Sequence, residues 1–173
     1  MSSTRIKIVE SSILLFNNKG LANVRLQDIA EYNDISPGNL TYHFKTKKDL
    51  MEYIIYYMIR KLVEIENTQR ESLKHMSLYK ILRNNLIFLF NYRFFFRDIL
   101  EIINLVPNAK SVYKDVIIIN EKFSIEYINI SIKNGYMKKE AFDGQYRTFA
   151  RNNWAIISSS LTTWEVLDGS NDR

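Results

Sequence analysis

The side chains best suited to chemistry in this chain crowd into one short stretch, ISPGNLTYHFKTKKDL from Ile35 to Leu50. Asn39 and Thr41 carry the amide, hydroxyl and methyl groups that match base edges and the thymine methyl in a major groove. Tyr42 and His43 carry hydroxyl and ring N–H groups of the kind that meet phosphate oxygens. Lys47 and Lys48 stand at a helix start, where free amides and the helix dipole also favour phosphate. Gly38 has no side chain, so its backbone can come close to a phosphate or a base. Nothing comparable points to catalysis. There is no phosphate-binding glycine loop, HExxH, GxSxG or cysteine nucleophile. Cys is absent and His43 and His75 are the two histidines, which excludes disulfides, thiolate zinc and a His-rich metal site. The chain is therefore expected to be no enzyme and to need no metal or cofactor.

The elements around these residues place them. Ile6, Val9, Ile13 and Phe16 recur at three and four, which predicts a helix from about Thr4 to Asn18, with Gly20 as its stop. A second helix is expected from Arg25 to Tyr32, with Leu26, Ile29 and Ala30 inward. It breaks at Asn33-Asp34. Ser36 and Pro37 then open a third helix, because proline at the first helical position loses no amide partner. Leu40 and Phe44, four apart, can anchor its inner face. Thr46-Lys47-Lys48-Asp49 has the pattern of a capping box and starts a helix running to about Arg70. Two short helices about a sharp turn form a helix-turn-helix able to enter a major groove.

Beyond residue 50 the chain reads as a larger helical body. Hydrophobic residues make up 46% of the 173, with Gly 5 and Pro 2, which suits long helices around a real core. The expected fold is all-α: a three-helix DNA-binding head over 1–46 and a larger helical body, read as a sensor, over 47–173. Ser77 is expected to cap a helix through Tyr92 after a corner at Lys74-His75-Met76. The run Arg93 to Asp98 is read as leading into an apolar helix that ends before Pro107; another helix is expected from Ala109 to Asn134, and a last one from Gly144 to Leu167. Val116-Ile117-Ile118-Ile119 is β-branched and is read as a buried piece of helix. The tail from Asp168 is expected to be loose.

A pocket between helices is typically apolar with a few polar groups. Phe88, Tyr92, Phe95, Tyr113, Asn120 and Phe123 are its candidates. Trp154, Ile157, Leu161 and Trp164 have the seam spacing of paired helices. Such a stripe can pack on its own body or on a twin subunit.

The formal charge of +5 and pI of about 9.3 permit a polyanion partner. Within the first fifty residues Arg5, Lys7, Lys19, Arg25, Lys45, Lys47 and Lys48 face Glu10, Asp28, Glu31, Asp34 and Asp49, a net of only +2. A DNA surface must therefore come from placement. The longest stretch without a charge, Asn152 to Trp164, is 13 residues and too short to span a bilayer. No signal peptide is read at the start, and a cytoplasmic setting is expected.

Residues 4–50 resemble the N-terminal domain of the TetR/AcrR family of bacterial transcriptional regulators. The resemblance rests on Phe16 and Gly20, the run Asp28-Ile29-Ala30, Ile35-Ser36-Pro37-Gly38, and Tyr42-His43-Phe44 followed by Lys45, Lys47, Asp49 and Leu50. It implies a homodimer whose paired heads bind a palindromic double-stranded operator, mostly as a repressor released by a small-molecule effector. It assigns DNA contact to Arg25, Gln27, Ser36, Gly38, Asn39, Thr41, Tyr42, His43 and Lys47, and it turns the Trp154–Trp164 stripe toward a twin. The chain departs from the family at Thr41, where tyrosine is usual, and at Val24-Arg25, where two threonines are usual. The family also has two final helices in its dimer interface, whereas here one is evident, so either the chain is truncated or the dimer is made differently. A member that keeps only ligand binding or dimerisation is one alternative reading, and an all-α enzyme is the other.

Overall fold

A computed structural model describes residues 3–72 and 78–167, and it is helical, with no strand among the described residues. The corner at Lys74–Met76, the cap at Ser77 and the tail from Asp168 lie outside the described residues. The chain divides into two compact units, one of Met1–Glu66 with Ile87–Ala109, the other of Asn67–Leu86 with Lys110–Arg173.

The first unit opens with α1 (Ser3–Lys19). Its inward stripe is broader than the four expected residues, since Ile8, Val9 and Phe16 are fully buried with Ser12 beside them. Gly20 stops it with a left-handed φ of 81°, and its N–H bonds Phe16 O at 3.0 Å. α2 (Leu26–Tyr32) starts where the Arg25 N–H donates to Asp28 Oδ2 at 2.6 Å. The turn after it passes through Asp34 at φ 58°, a conformation that Asp tolerates better than most residues. Asn33 fixes that turn by donating from Nδ2 to Ser11 Oγ at 2.6 Å and to Ile29 O at 2.7 Å.

α3 (Pro37–His43) is capped by Ser36, whose Oγ accepts the Asn39 N–H at 3.1 Å. Leu40 and Phe44 are both 1% exposed, so the expected anchors hold the helix down. The capping box of α4 (Lys47–Ser72) closes both ways at 3.0 Å, Thr46 N–H to Asp49 Oδ2 and Asp49 N–H to Thr46 Oγ1. Arg5 stacks on the Phe44 and Tyr53 rings, 4.9 and 4.4 Å from their centroids, which ties the start of α1 to the end of α3 and to α4.

α5 (Leu78–Asn91) is followed by α6 (Arg93–Arg97) and α7 (Ile99–Leu105). α7 is the helix expected before Pro107, and the run leading into it is itself helical as α6, the two meeting at Asp98. That residue turns inward: its Oδ2 accepts the Leu21 N–H at 2.9 Å, and its carboxylate pairs with Arg97 at 2.8 Å. Arg97 in turn donates to Phe16 O at 2.8 Å and Asn17 O at 3.2 Å, carbonyls at the end of α1.

The second unit holds most of α8 (Ala109–Lys133) and all of α9 (Gln145–Leu167). Gly135, at φ 77°, ends α8 as expected. The β-branched run is helical but is not a buried stretch. Val116 is buried while Ile118 is exposed, because a helix turns successive residues to different sides. The two long helices expected from the sequence, α8 and α9, thus come last among the described residues.

Candidate nucleic-acid interface

The inner anchors of α3 leave its other side to solvent. Ser36, Gly38, Asn39 and Thr41 are exposed, and Tyr42 is 85% exposed, a large aromatic with little of its surface used by the fold. His43 is half-buried, with its ring edge-on to Tyr42 at 5.3 Å. No acidic residue lies in α3 itself. The helix therefore presents amide, hydroxyl, phenol and imidazole groups on one short projecting element.

Local bonding narrows what each group can do. Thr41 Oγ1 donates back to Pro37 O or Gly38 O, both at 3.0 Å. Its proton is engaged, so it offers a ligand a methyl group and acceptor lone pairs. Asn39 spends its backbone N–H on Ser36 and keeps its side-chain amide exposed. A Cβ built on Gly38 would meet only Ser36 Oγ, at 3.9 Å, and no positive φ demands glycine there. The fold gives no reason for glycine at this position, whereas a close-approaching ligand would.

Arg25 and Gln27 are exposed at the start of α2. The Arg25 guanidinium bonds Asp28 at 3.2 Å, which raises its pKa, first through that hydrogen bond and then through the charge of Asp28. The same hydrogen bond lowers the Asp28 carboxyl. Lys47 is half-buried. Its Nζ donates to Leu21 O at 2.6 Å and lies 5.7 Å from the centre of the Phe16 ring. Burial lowers its pKa, against the opposing charges of Glu101 and Asp28. Its ammonium is bound to the head's own backbone at Leu21 O, which also accepts the Val24 N–H at 3.4 Å. Lys45 and Lys48 are the exposed cations here, with Lys48 only loosely placed 4.0 Å from Glu52. Lys45 was passed over in the sequence because it sits in the break between helices.

The pocket candidates divide between the two units. Phe88, Tyr92 and Phe95 belong to the first and are buried, with the Phe88 and Tyr92 rings 4.9 Å apart. Tyr113, Asn120 and Phe123 belong to the second. There Phe123 packs with Tyr127 and Ile130, and Asn120 Nδ2 donates to Val116 O at 3.0 Å. On α9, Trp154, Ile157 and Leu161 are half-buried and Trp164 is 42% exposed. Phe149, Ile156, Val166 and Leu167 on that helix are more exposed than the seam residues, and Phe149 and Ile156 fall seven apart on another face.

Comparison with known proteins agrees with this geometry. Residues 8–54 match the family model described as bacterial regulatory proteins, tetR family, and residues 57–172 match the model described as bacterial transcriptional repressor. The chain is 25% identical over 146 residues to the probable HTH-type transcriptional regulator YttP of Bacillus subtilis, covering 80% of this chain and 67% of that one. It is 29% identical over 112 residues to an HTH-type transcriptional regulator of Staphylococcus aureus, covering 64% of this chain and 58% of the relative. A crystal structure of a TetR-family transcriptional regulator from Marinobacter aquaeolei superposes with a TM-score of 0.79 at 25% identity, covering 96% of this chain and 82% of that one.

Proposed function

This chain belongs to the TetR family of bacterial transcriptional regulators, and from that premise we propose that it is a ligand-released repressor that binds a palindromic operator as a homodimer. The observation that carries DNA reading is the α3 face, where Gly38, Asn39, Thr41 and Tyr42 are all exposed above buried Leu40 and Phe44. In this reading Asn39 and Thr41 meet base edges in successive major grooves about one helical turn apart. Ser36, Tyr42, His43, Gln27 and Arg25 hold phosphates. The start of α4 adds its free amides and the exposed Lys48, while Lys47 acts by fixing the loop at Leu21.

The head is taken as residues 1–46 and the effector-binding and dimerisation part as 47–173. α4 runs unbroken from Lys47 to Ser72, so a ligand that tilts it would change the separation of the two heads and disfavour the DNA-bound state. Phe149, Ile156, Trp164, Val166 and Leu167 are exposed on α9 and offer apolar surface to a twin subunit. No helix among the described residues is long and apolar enough to cross a membrane, in keeping with a cytoplasmic regulator.

The test is binding of the purified chain to duplex from its own gene's upstream region against a shuffled duplex, across a salt series. A preference of about a hundredfold at physiological salt is expected. Equal and steeply salt-dependent binding to both duplexes would favour the alternative, a member that binds ligand or dimerises without reading sequence.

A further inference from the structure

A groove of about 340 Å³ in the first compact unit is walled by three parts of the chain: Glu10, Ile13, Leu14 and Asn17 from α1, Tyr57 from α4, and Phe90 to Arg93 from the α5–α6 corner. The Glu10 carboxylate accepts the Tyr57 hydroxyl at 3.1 Å and has no ion pair among the described residues. Around it stand the rings of Tyr57, Phe90 and Tyr92, whose faces carry negative potential. Tyr92 is only 8% exposed, yet among the described residues its hydroxyl has no hydrogen-bond partner, and it lines this groove. Burial pushes that hydroxyl up to about 12, and the neighbouring Tyr57, Glu10 and Glu64 add to the shift. Arg93, the cation at the rim, is engaged elsewhere: it donates to Phe90 O and to Asn18 Oδ1, both at 3.1 Å, and lies over the Phe90 ring.

We propose that this groove binds a small organic cation, an ammonium or amidinium on an aromatic or aliphatic body. Its charge lies against Glu10, an N–H reaches Tyr92, and its body rests on the Tyr57, Phe90 and Leu14 surfaces. As the effector class of the protein this rests on the regulator reading. α1 belongs to the head and α4 begins at it, so an occupant wedged between them bears on the recognition helix.

Benzamidinium is the probe, with benzamide and benzoate as neutral and anionic molecules of nearly the same shape. Titration calorimetry on the full chain should show saturable benzamidinium binding, with the other two at least about tenfold weaker. Glu10→Gln keeps an acceptor for Tyr57 and should weaken benzamidinium about tenfold, while Tyr92→Phe should weaken it a few-fold. Equal binding of the three probes, no saturable benzamidinium binding to about 10 mM, or an unchanged Glu10→Gln would overturn the site. If circular dichroism shows Glu10→Gln unfolded, the three-probe comparison on the unaltered chain decides. Operator affinity is measured in parallel. Bound benzamidinium that leaves it unchanged overturns the effector role. Absence of sequence-specific DNA binding, with the cation still bound through Glu10, overturns the regulator reading and leaves the site standing.

Discussion

Asn17 and Phe94, 77 residues apart in the chain, are joined at the centre of the first unit, where Asn17 Oδ1 accepts the Phe94 N–H at 3.0 Å. The same side chain donates from Nδ2 to Asn91 O at 2.8 Å, so one amide satisfies two backbone groups at the α5–α6 corner. Asn17 is 6% exposed and Phe94 is fully buried, which leaves little room for water to take over either bond. The Phe16 and Phe94 rings pack beside it at 5.5 Å. The end of α1, part of the DNA-reading head, is thereby fixed to the corner that follows α5.

Replacing Asn17 by Leu keeps the volume and strands both backbone groups. Each buried unsatisfied group costs about 1–3 kcal/mol, so Asn17→Leu should lower unfolding free energy by roughly 2–4 kcal/mol. Urea unfolding followed by circular dichroism measures this. A loss below about 0.5 kcal/mol would mean that water replaces the amide and that the join is incidental.

Gly38→Ala should separate folding from DNA binding. Nothing lies closer than 3.9 Å to the added methyl, and alanine is the better helix former, so stability should be unchanged or up to about 1 kcal/mol higher. Operator affinity should fall by about tenfold or more if DNA approaches that backbone closely. Unchanged affinity would remove Gly38 from the interface.

Asn39 and Tyr42 are assigned different kinds of contact, and this is checkable. Tyr42→Ala should weaken binding to all sequences by a similar factor, since phosphates carry no sequence information. Asn39→Ala should cost about 1–3 kcal/mol on the matched operator and little on one altered at a single position in each half-site. Equal losses on matched and altered duplexes for both variants would show the division of roles to be wrong.

The head was legible because its signals are local. A cap at Ser36, a box at Thr46–Asp49, a stop at Gly20 and the four-residue step from Leu40 to Phe44 each act within one turn, and each is where the sequence put it. What escaped the sequence depends on partners far along the chain. Asp98 accepts the Leu21 N–H from 77 residues away, and Lys47 donates to the carbonyl of the same residue. The body candidates were chosen by residue type, and type alone does not separate Phe95, fully buried in the first unit, from Phe149, exposed on α9. The groove at Glu10 was equally hidden, since its wall draws on α1, α4 and the α5–α6 corner.

Lys47 and Lys48 are neighbours with opposite expected behaviour. Lys48→Ala should reduce the slope of log affinity against log salt by about one while leaving stability within about 0.5 kcal/mol. Lys47→Ala removes a donor from Leu21 O and should cost about 1 kcal/mol of stability, with the salt slope unchanged. A lowered slope for Lys47→Ala would show that its ammonium leaves Leu21 for a phosphate in the complex.

Stability should fall at high pH through Tyr92. Its folded pKa is raised to about 12, chiefly by burial, against an ordinary value of 10.0. Below pH 10 the hydroxyl is protonated in both states and its contribution is complete. Between about pH 10 and 12 the unfolded chain loses the proton while the folded chain keeps it, so stability drops by about 1.4 kcal/mol per pH unit, at most roughly 2–3 kcal/mol in all. Tyr57 and Tyr113, also raised by burial, act in the same direction. Lys47, lowered by burial, acts in the opposite one, because the folded state releases its proton first. Unfolding midpoints in urea from pH 8 to 12 should therefore decline most steeply above pH 10, and Tyr92→Phe should flatten the decline. An equally steep decline in Tyr92→Phe would place the responsible group elsewhere, with Tyr57 and Tyr113 the next to replace.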